Sequence, residues 1–283
     1  MIAATARLAA FYRARETARA DAVFRDPHAI RLAGESDPLI TRALAGGKLD
    51  WYYTARTYAI DRLIARQVAD GADLIVQLAA GLDARPYRLH LPPDLRWVEI
   101  DLPDIVEYKR ELLADATPVC RVDRVDVDLS NGDARRGLFR DLGRSASRAV
   151  VVAEGLLVHL MAGDAGELSR DVAAVPAFRR WIADIVSTGL TAMLNEASGE
   201  LVREAGAPYV FAPIEGPAFF RDDGWQVLAV RPLIQTAAKL VRLPVALRPM
   251  AMFLDSPSPG DRPWAAACLL GKEAISSGSP DDR

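Results

Sequence analysis

The spacing of apolar and polar residues divides the chain into two parts near residue 70. Before that point, apolar side chains recur at helical spacing, which predicts helices over residues 3–20, from Asp26 to Gly34 and from Leu49 to Asp70. After it, short apolar runs alternate with amphipathic stretches. The predicted strands are Leu74–Leu78, Arg96–Asp101, Arg121–Leu129, Ala149–Ala153, Trp181–Val186, Gly224–Leu228 and Trp264–Leu270, with helices at Pro103–Ala114 and about Asp164–Val175. This alternation predicts an α/β fold with a parallel sheet and helices on both of its faces.

These elements fit a single domain over residues 1–275. We expect residues 1–70 to form a helical lid, residues 71–187 a core that binds a cofactor, residues 188–260 a cap over the substrate, and residues 261–275 the last strand. Gly46 and Gly47 mark a loop within the lid. The cap segment begins as a helix and a loop, whereas residues 231–259 follow no clear pattern. Residues 276–283 are rich in Ser, Gly, Pro and Asp, and we expect them to be disordered.

Charge and cysteine content limit the classes of function. The net charge of −3 and the isoelectric point near 5.7 give no electrostatic reason to bind nucleic acid. Cys120 and Cys268 lie far apart and match no metal-binding spacing, so we expect reduced core cysteines, a cytoplasmic protein and no metal. We expect no secretory leader, because Arg7 and Arg13 interrupt the first apolar stretch, and no membrane span, because Glu154 breaks the longest apolar run.

The first predicted strand leads into a run of small residues. The strand Leu74–Leu78 is followed by Ala79, Ala80 and Gly81, which would let the backbone approach a ligand closely. In an open α/β sheet, ligands bind beyond the carboxyl ends of the strands. The same residues would equally suit a tight turn with no ligand, so this stretch alone leaves both interpretations open.

Acidic residues at the ends of successive strands favour a ligand. Asp101 lies twenty residues after Gly81, where a carboxylate can accept both hydroxyl hydrogens of a ribose. Asp128 could accept a bond from an adenine amine, and Glu154 lies near the same edge. The glycines of a dinucleotide loop are missing, and Asp83 would repel a pyrophosphate at a helix N-terminus. The pattern therefore indicates an adenosine without phosphates, such as S-adenosylmethionine, although each acid alone is more often a helix cap or a surface charge.

Several blocks of residues resemble one known family. They are Arg13–Glu16 with Asp21–Ala29, Arg56-Thr57, Leu78–Leu89, Glu99–Ile105 with Lys109, Asp128-Leu129, Ala153–Leu160 and Gly224-Trp225. In this order they resemble the leucine carboxyl methyltransferase-type class I methyltransferases. The resemblance is strongest to the bacterial branch that includes the tetracenomycin polyketide O-methyltransferase. It implies a seven-stranded, mostly parallel sheet with an N-terminal helical lid, and S-adenosylmethionine as the cofactor.

The resemblance also implies roles for individual residues. The set that it assigns to the cofactor is Arg56, Ala79, Gly81, Asp101, Leu102, Asp128, Leu129 and Glu154. In this assignment Arg56 binds the methionine carboxylate in bidentate fashion, and Glu154 lies near the methionine ammonium. Gly81, with Ala79 beside it, lets the backbone approach the methionine part. Asp101 holds the ribose, whereas Asp128 and Leu129 contact the adenine.

His159 departs from the family pattern, which usually has tyrosine at this position. The resemblance puts the position near the methyl group and the acceptor. Histidine titrates close to neutral pH, so His159 could remove a proton from an attacking hydroxyl. The alternative is a histidine that only packs or hydrogen-bonds in place of the tyrosine.

The acceptor is less defined than the cofactor. Aromatic residues that could line its pocket are Trp51, Tyr52, Tyr53, Phe211, Phe219, Phe220 and Trp225, which favours a small aromatic or polyketide-like metabolite. The accepting oxygen could be a hydroxyl or a carboxylate. Two alternatives stay open, a methyltransferase for the C-terminal carboxylate of a protein and a non-catalytic protein that binds the cofactor. The sequence does not predict the oligomeric state.

Overall fold

The computed structural model describes residues 4–34, 41, 49–204, 206–252 and 261–272. The predicted loop at Gly46 and Gly47 and the predicted disordered tail at 276–283 lie outside the described residues. The strands are β1 (Leu74–Leu78), β2 (Arg96–Asp101), β3 (Arg121–Asp126), β4 (Ala149–Ala153), β5 (Phe178–Val186), β6 (Gln226–Pro232) and β7 (Ala265–Gly271). The α-helices are α1 (Ala4–Thr17), α2 (Ala29–Ala33), α3 (Asp50–Ala69), α4 (Arg85–Arg88), α5 (Pro103–Leu112), α6 (Gly132–Arg144), α7 (Ala162–Ala173), α8 (Thr188–Glu204) and α9 (Leu233–Lys239).

The described strands form one seven-stranded sheet in the order β3-β2-β1-β4-β5-β7-β6. All neighbours from β3 to β5 pair in parallel, whereas β7 is antiparallel to both β5 and β6. Each of the seven predicted strands is present, so the predicted α/β architecture is confirmed. The bounds differ mainly at β3, which ends at Asp126 rather than Leu129, at β5, which begins at Phe178 rather than Trp181, and at β6, which is Gln226–Pro232 rather than Gly224–Leu228.

The burial of each strand follows from its place in the sheet. All five residues of β1 and all five of β4 are buried, because helices cover both faces at the centre of the sheet. The edge strand β3 is half-exposed and carries the charged residues Arg121 and Asp123 on its exposed positions. Charges at an edge discourage pairing with another chain.

Helix α6 was missed from the sequence, although its signals are present. The side chain of Asn131 accepts a hydrogen bond from the backbone N–H of Ala134, as expected of an N-cap. Phe139 and Leu142, three residues apart, are buried against the sheet, and the rest of the helix is largely polar. A narrow apolar stripe of this kind is easily lost among arginines and aspartates.

The segment 188–260 contributes to the sheet as well as to the cavity described below. It contains α8, the edge strand β6, helix α9 and 3₁₀ turns at Gly216–Asp223 and Val245–Met252. Among the helices that the structure describes, none is both long and apolar enough to cross a membrane.

Candidate active site

A cavity of about 280 Å³ lies beyond the carboxyl ends of β1, β2 and β4. The strands supply the glycine loop at residues 79–82, Asp101 and Glu154. Helices α1 and α3 supply the opposite wall, including Arg13, Tyr52 and Arg56. The lid and the core therefore share one cavity, at the sheet edge where the sequence predicts a ligand.

The glycine loop and Asp101 form one hydrogen-bonded unit. Ala79 and Gly81 both have positive φ angles, 47° and 51°. A left-handed conformation costs alanine about 1 kcal/mol or more, which explains why glycine is the usual residue at such a turn. Asp101 Oδ2 accepts the Gly81 N–H at 2.6 Å, and Oδ1 accepts the Leu102 N–H at 2.8 Å. Burial raises the pKa of Asp101, against the opposing effect of these two donors.

The carboxylate of Asp101 keeps capacity for a ligand. Each carboxylate oxygen can accept about two hydrogen bonds, and the backbone uses one at each oxygen. Asp101 and Leu102 both line the cavity. The ribose contact predicted for Asp101 is thus chemically available, and it stays a prediction.

Arg56 is already held by two carboxylates. Its Nε donates to Glu154 Oε1 at 3.0 Å, and its Nη1 lies 3.3 Å from Asp184 Oδ2 and 3.4 Å from the Tyr52 hydroxyl. The guanidinium also lies over the Tyr53 ring, 4.8 Å from its centroid. Among the described residues, no hydrogen bond uses its Nη2. The predicted bidentate contact with a cofactor carboxylate would therefore require Arg56 to release one of these acids, whereas Nη2 alone could donate without rearrangement.

Asp184 on β5 was missed from the sequence. It is 3% exposed, and its Oδ1 accepts the Gly155 N–H at 2.6 Å. It thereby joins the end of β4 to Arg56 on α3. An acid in the middle of a predicted buried strand was the available signal, because a buried carboxylate needs a cationic or N–H partner.

Glu154 connects Arg56 to a second arginine. Its Oε2 lies 2.6 Å from Arg85 Nη1, in an ion pair whose geometry does not make a hydrogen bond. Burial alone would raise the pKa of Glu154, but Arg85 and Arg56 together hold it below its usual value. Glu154 is thus ionised at neutral pH and has a buried oxygen that can still accept a hydrogen bond.

Asp83 does not act as an unpaired negative charge. It forms an ion pair with Arg85 and accepts a hydrogen bond from Gln77 at 2.6 Å. The expectation that Asp83 repels a pyrophosphate is wrong, because Arg85 neutralises it and α4, at four residues, has no extended helix dipole.

The same ion pairs attach the lid to the loop. Arg85 Nε also donates to Asp61 on α3 at 2.6 Å. Arg13 on α1 donates to the carbonyl oxygen of Leu82 at 2.6 Å and to Asp26 at 3.1 Å. These pairs explain why charged residues occupy buried positions in the lid. The sequence alone does not show which residues pair, so it could not predict this burial.

Asp128 and Leu129 follow β3 at the same edge of the sheet but do not line the cavity. Asp128 is exposed and accepts the Ser130 N–H at 2.8 Å, and hydrogen bonds from Ser130 lower its pKa. The Leu129 carbonyl oxygen accepts a bond from Arg135. Their contact with adenine stays a prediction.

His159 lies on the cavity wall in a 3₁₀ turn after β4. Its Nδ1 is 3.2 Å from the Pro208 carbonyl oxygen, and its ring stacks on Tyr209 with centroids 5.3 Å apart. A carbonyl can only accept, so Nδ1 must carry the proton and Nε2 is left as the basic nitrogen. Burial lowers the pKa of His159, which keeps the ring neutral at pH 7.

Only part of the predicted aromatic set reaches the cavity. Tyr52 and Tyr53 line it, together with Tyr209, which sequence reasoning missed. The placement of the others at this cavity is wrong. Phe211, Phe219, Phe220 and Trp225 pack in the core on the other face of the sheet, where Phe220 and Trp225 contact Trp181. Trp51 does not line the cavity.

A family model described as "Leucine carboxyl methyltransferase" matches residues 6–173, more than half of the chain. The chain belongs to the leucine carboxyl methyltransferase family. It is 34% identical over 238 residues to a protein of Parafrankia sp. (strain EAN1pec), covering 78% of this chain and 76% of the relative. It is 30% identical over 236 residues to a protein of Frankia alni, covering 79% and 82%. Both relatives are named as candidate S-adenosyl-L-methionine-dependent methyltransferases.

A solved structure of a DUF574 family protein from Streptomyces avermitilis has the same fold, with a TM-score of 0.59 at 14% identity. The match covers 95% of this chain and 97% of that one. Together with the family match and the seven-stranded order, this likeness confirms the predicted class I methyltransferase fold. The family match and the names of the relatives both support S-adenosylmethionine-dependent methyltransferase activity for this chain.

The cavity of this family member fits that cofactor chemically. Of the acids on its wall, Asp83 is neutralised by Arg85 and Glu154 is paired with Arg56 and Arg85, whereas Asp101 forms no ion pair within the described residues. The unpaired carboxylate of Asp101 suits a ligand that carries a sulfonium and an ammonium together with one carboxylate. The left-handed loop at Ala79 and Gly81 brings backbone rather than bulky side chains to the wall.

Proposed function

We propose that the protein transfers a methyl group from S-adenosylmethionine to a hydroxyl oxygen of a small aromatic or polyketide-like metabolite. The observation that carries the proposal is the orientation of His159, whose Nδ1 is directed to the Pro208 carbonyl. The basic Nε2 is thereby available to take a proton from a hydroxyl group as its oxygen attacks.

The charges of the cavity support a hydroxyl acceptor over a carboxylate. Among the described residues of the wall, the cations are Arg13 and Arg56. Arg13 is paired with Asp26, and Arg56 with Glu154 and Asp184. Arg56 Nη2, which no hydrogen bond among the described residues uses, is needed for the carboxylate of the cofactor, so a carboxylate acceptor would lack a cationic partner, whereas a neutral phenol or enol needs none.

In this proposal, different residues of the cavity bind the cofactor, contact the acceptor and remove the proton. Asp101 and Glu154 would hold the cofactor, which supplies a methyl group activated by its sulfonium. Tyr53 and Tyr209 offer aromatic surface to an acceptor, and His159 orients its hydroxyl and removes the proton. Positioning and exclusion of water supply most of the remaining catalysis, because attack by an anion on a cation cancels charge.

The test is a mass-shift screen of cell extract with isotopically labelled S-adenosylmethionine. The proposal expects a labelled small-molecule ether that survives mild base. A base-labile ester, or label on the C-terminus of a protein, would instead support a carboxyl methyltransferase. Calorimetry with S-adenosylmethionine addresses the non-catalytic alternative, and absence of binding at millimolar cofactor would refute both enzymatic readings.

A further inference from the structure

A second cavity, of about 90 Å³, lies at the opposite end of the parallel strands from the candidate active site. It is formed where β4 and β5 begin, where β7 ends and where α3 leads into β1. Four of its lining residues are cations: Arg148, Arg179, Arg180 and Lys272. It shares no residue with the cavity of the candidate active site.

A β-bulge brings two consecutive arginines to this cavity. In a regular strand, neighbouring side chains point to opposite faces, so only one of them could line a given pocket. Here Ala149 pairs with Phe178 and Val150 pairs with Arg180, which leaves Arg179 as the extra residue of β5. Both Arg179 and Arg180 therefore line the cavity. Bulges of this kind redirect side chains and are common beside binding sites.

The positive charges lack acidic partners. Within the described ranges, no carboxylate lies within ion-pair distance of Arg148, Arg179 or Arg180. The carboxylate on the cavity wall, Asp70, is paired with Arg66 at 3.1 Å. This contrasts with the active site, where each of the lining arginines is paired with an acid.

Lys272 adds to the unbalanced charge. Its Nζ donates to the carbonyl oxygens of Ala173 and Val175, at 2.7 and 2.8 Å, and so is fixed at the end of α7. Burial, with a smaller contribution from Arg179, lowers the pKa of Lys272 to about 8. A cation buried beside another cation is stabilised when an anion binds between them.

Gln67 supplies a neutral donor at the same place. It is 7% exposed and lines the cavity, and its side-chain amide makes no hydrogen bond within the described part of the chain. Buried polar side chains are almost always hydrogen-bonded, so an unpartnered amide on a cavity wall points to a ligand or solvent partner.

From the bulged arginine pair, the unpaired cations and the Gln67 amide, we propose that this cavity binds a tetrahedral oxyanion of the phosphate class. The cavity has the size of one such group. Guanidinium groups match phosphate oxygens in geometry and charge, and the amide can donate a further hydrogen bond. The ligand is inorganic phosphate or the terminal phosphate of a small metabolite.

The test is calorimetric titration of the full chain with inorganic phosphate and with glycerol 1-phosphate, at ionic strength held constant with chloride and with saturating S-adenosylhomocysteine present. The cofactor product keeps the active site occupied, so the measurement does not depend on methyl transfer. We expect saturable binding of one equivalent. Tighter binding of the ester would identify a phosphorylated metabolite, and equal binding would identify the free ion.

Substitutions then locate the site. The variant Arg179→Gln/Arg180→Gln should weaken phosphate binding at least about tenfold, because it removes two charged donors. The control Arg62→Gln/Arg221→Gln removes the same charge from two exposed arginines outside the cavity and should leave the affinity unchanged. Arg148→Gln, an exposed loop substitution, should also weaken binding and covers the case in which the double variant fails to fold. Absence of saturable binding, or equal loss in the control, would overturn the proposal.

Discussion

The contacts of Asp184 predict that it positions Arg56 for the cofactor, and the variant Asp184→Asn tests this. Asparagine keeps the shape of the side chain and one oxygen for the Gly155 N–H, which donates to Asp184 at 2.6 Å. It removes the charge and places an N–H₂ group opposite Arg56 Nη1, which lies 3.3 Å from the present carboxylate oxygen. The variant thus removes the charged contact without creating a cavity.

The size of the effect follows from these contacts. A hydrogen bond to a charged group contributes about 1.5–3 kcal/mol, and loss of a buried ion pair costs more when a charge is left unpaired. Arg56 keeps its bond to Glu154 at 3.0 Å, so we expect the lower range, about 1.5–3 kcal/mol, in the free energy of unfolding. A displaced Arg56 should weaken binding of S-adenosylhomocysteine by about tenfold, or 1.4 kcal/mol.

Two measurements separate positioning from stability. Urea unfolding gives the loss of stability, and calorimetry with S-adenosylhomocysteine gives the loss of affinity. The matched control is Asp171→Asn, since Asp171 has an 11% exposed side chain and pairs with Arg135 at 2.5 Å between α6 and α7, outside the cavity. The control should lose stability and keep its affinity. Unchanged or tighter binding by Asp184→Asn would refute the positioning role.

Three further predictions concern the same cavity. Asp101→Asn should weaken binding of S-adenosylhomocysteine at least about tenfold in calorimetry, because the amide cannot accept bonds at both positions that now face the backbone donors of Gly81 and Leu102. His159→Ala should lower kcat about 10²–10⁴-fold, because it removes the proposed general base. It should also remove the acidic limb of the pH–rate profile, because wild-type activity is lost as the pH falls to the lowered pKa of His159 and the ring becomes protonated. Nearly full activity at neutral pH would contradict the base assignment. Arg13→Gln should speed amide hydrogen exchange across α1, because it removes the bond to the Leu82 carbonyl, whereas Arg15→Gln, on the same helix and paired with the half-buried Asp50, should not.

Strand positions could be predicted from sequence because each buried strand stands out as a short apolar run. The edge strands were less well defined by the sequence, since β6 has a mixed pattern of exposed and half-buried positions and begins two residues and ends four residues after its predicted bounds. Helix α6 was missed for the same reason, because its buried residues are few. Local apolar patterns thus predict the buried central strands of the sheet well and its half-exposed edge strands and surface helices less well.

The sequence indicated which types of residue form the site but not which of their side chains form ion pairs with one another. The structure brings Arg56, Asp101 and Glu154 to one cavity, Asp101 and Glu154 from the ends of β2 and β4 and Arg56 from within α3, and their roles toward the cofactor stay predictions. Nothing in the sequence indicates that Asp184 pairs with Arg56, because the two residues lie on elements distant along the chain, or that the neighbouring Arg85 turns toward Asp83 and neutralises it. Aromatic residues were misassigned because a phenylalanine in the core and one in a pocket have the same local pattern.

The distribution of charge over the sheet qualifies the argument from net charge. Acids gather at the carboxyl ends of the strands, where Asp101 and Glu154 line the cavity proposed for the cationic cofactor. Arginines gather at the amino ends, where Arg148, Arg179 and Arg180 line the small cavity. The net charge of −3 averages these two edges. It therefore argues against an extended anionic partner such as nucleic acid, but it cannot argue against a single phosphate group, whose binding depends on the field within a few ångströms of the arginine pair.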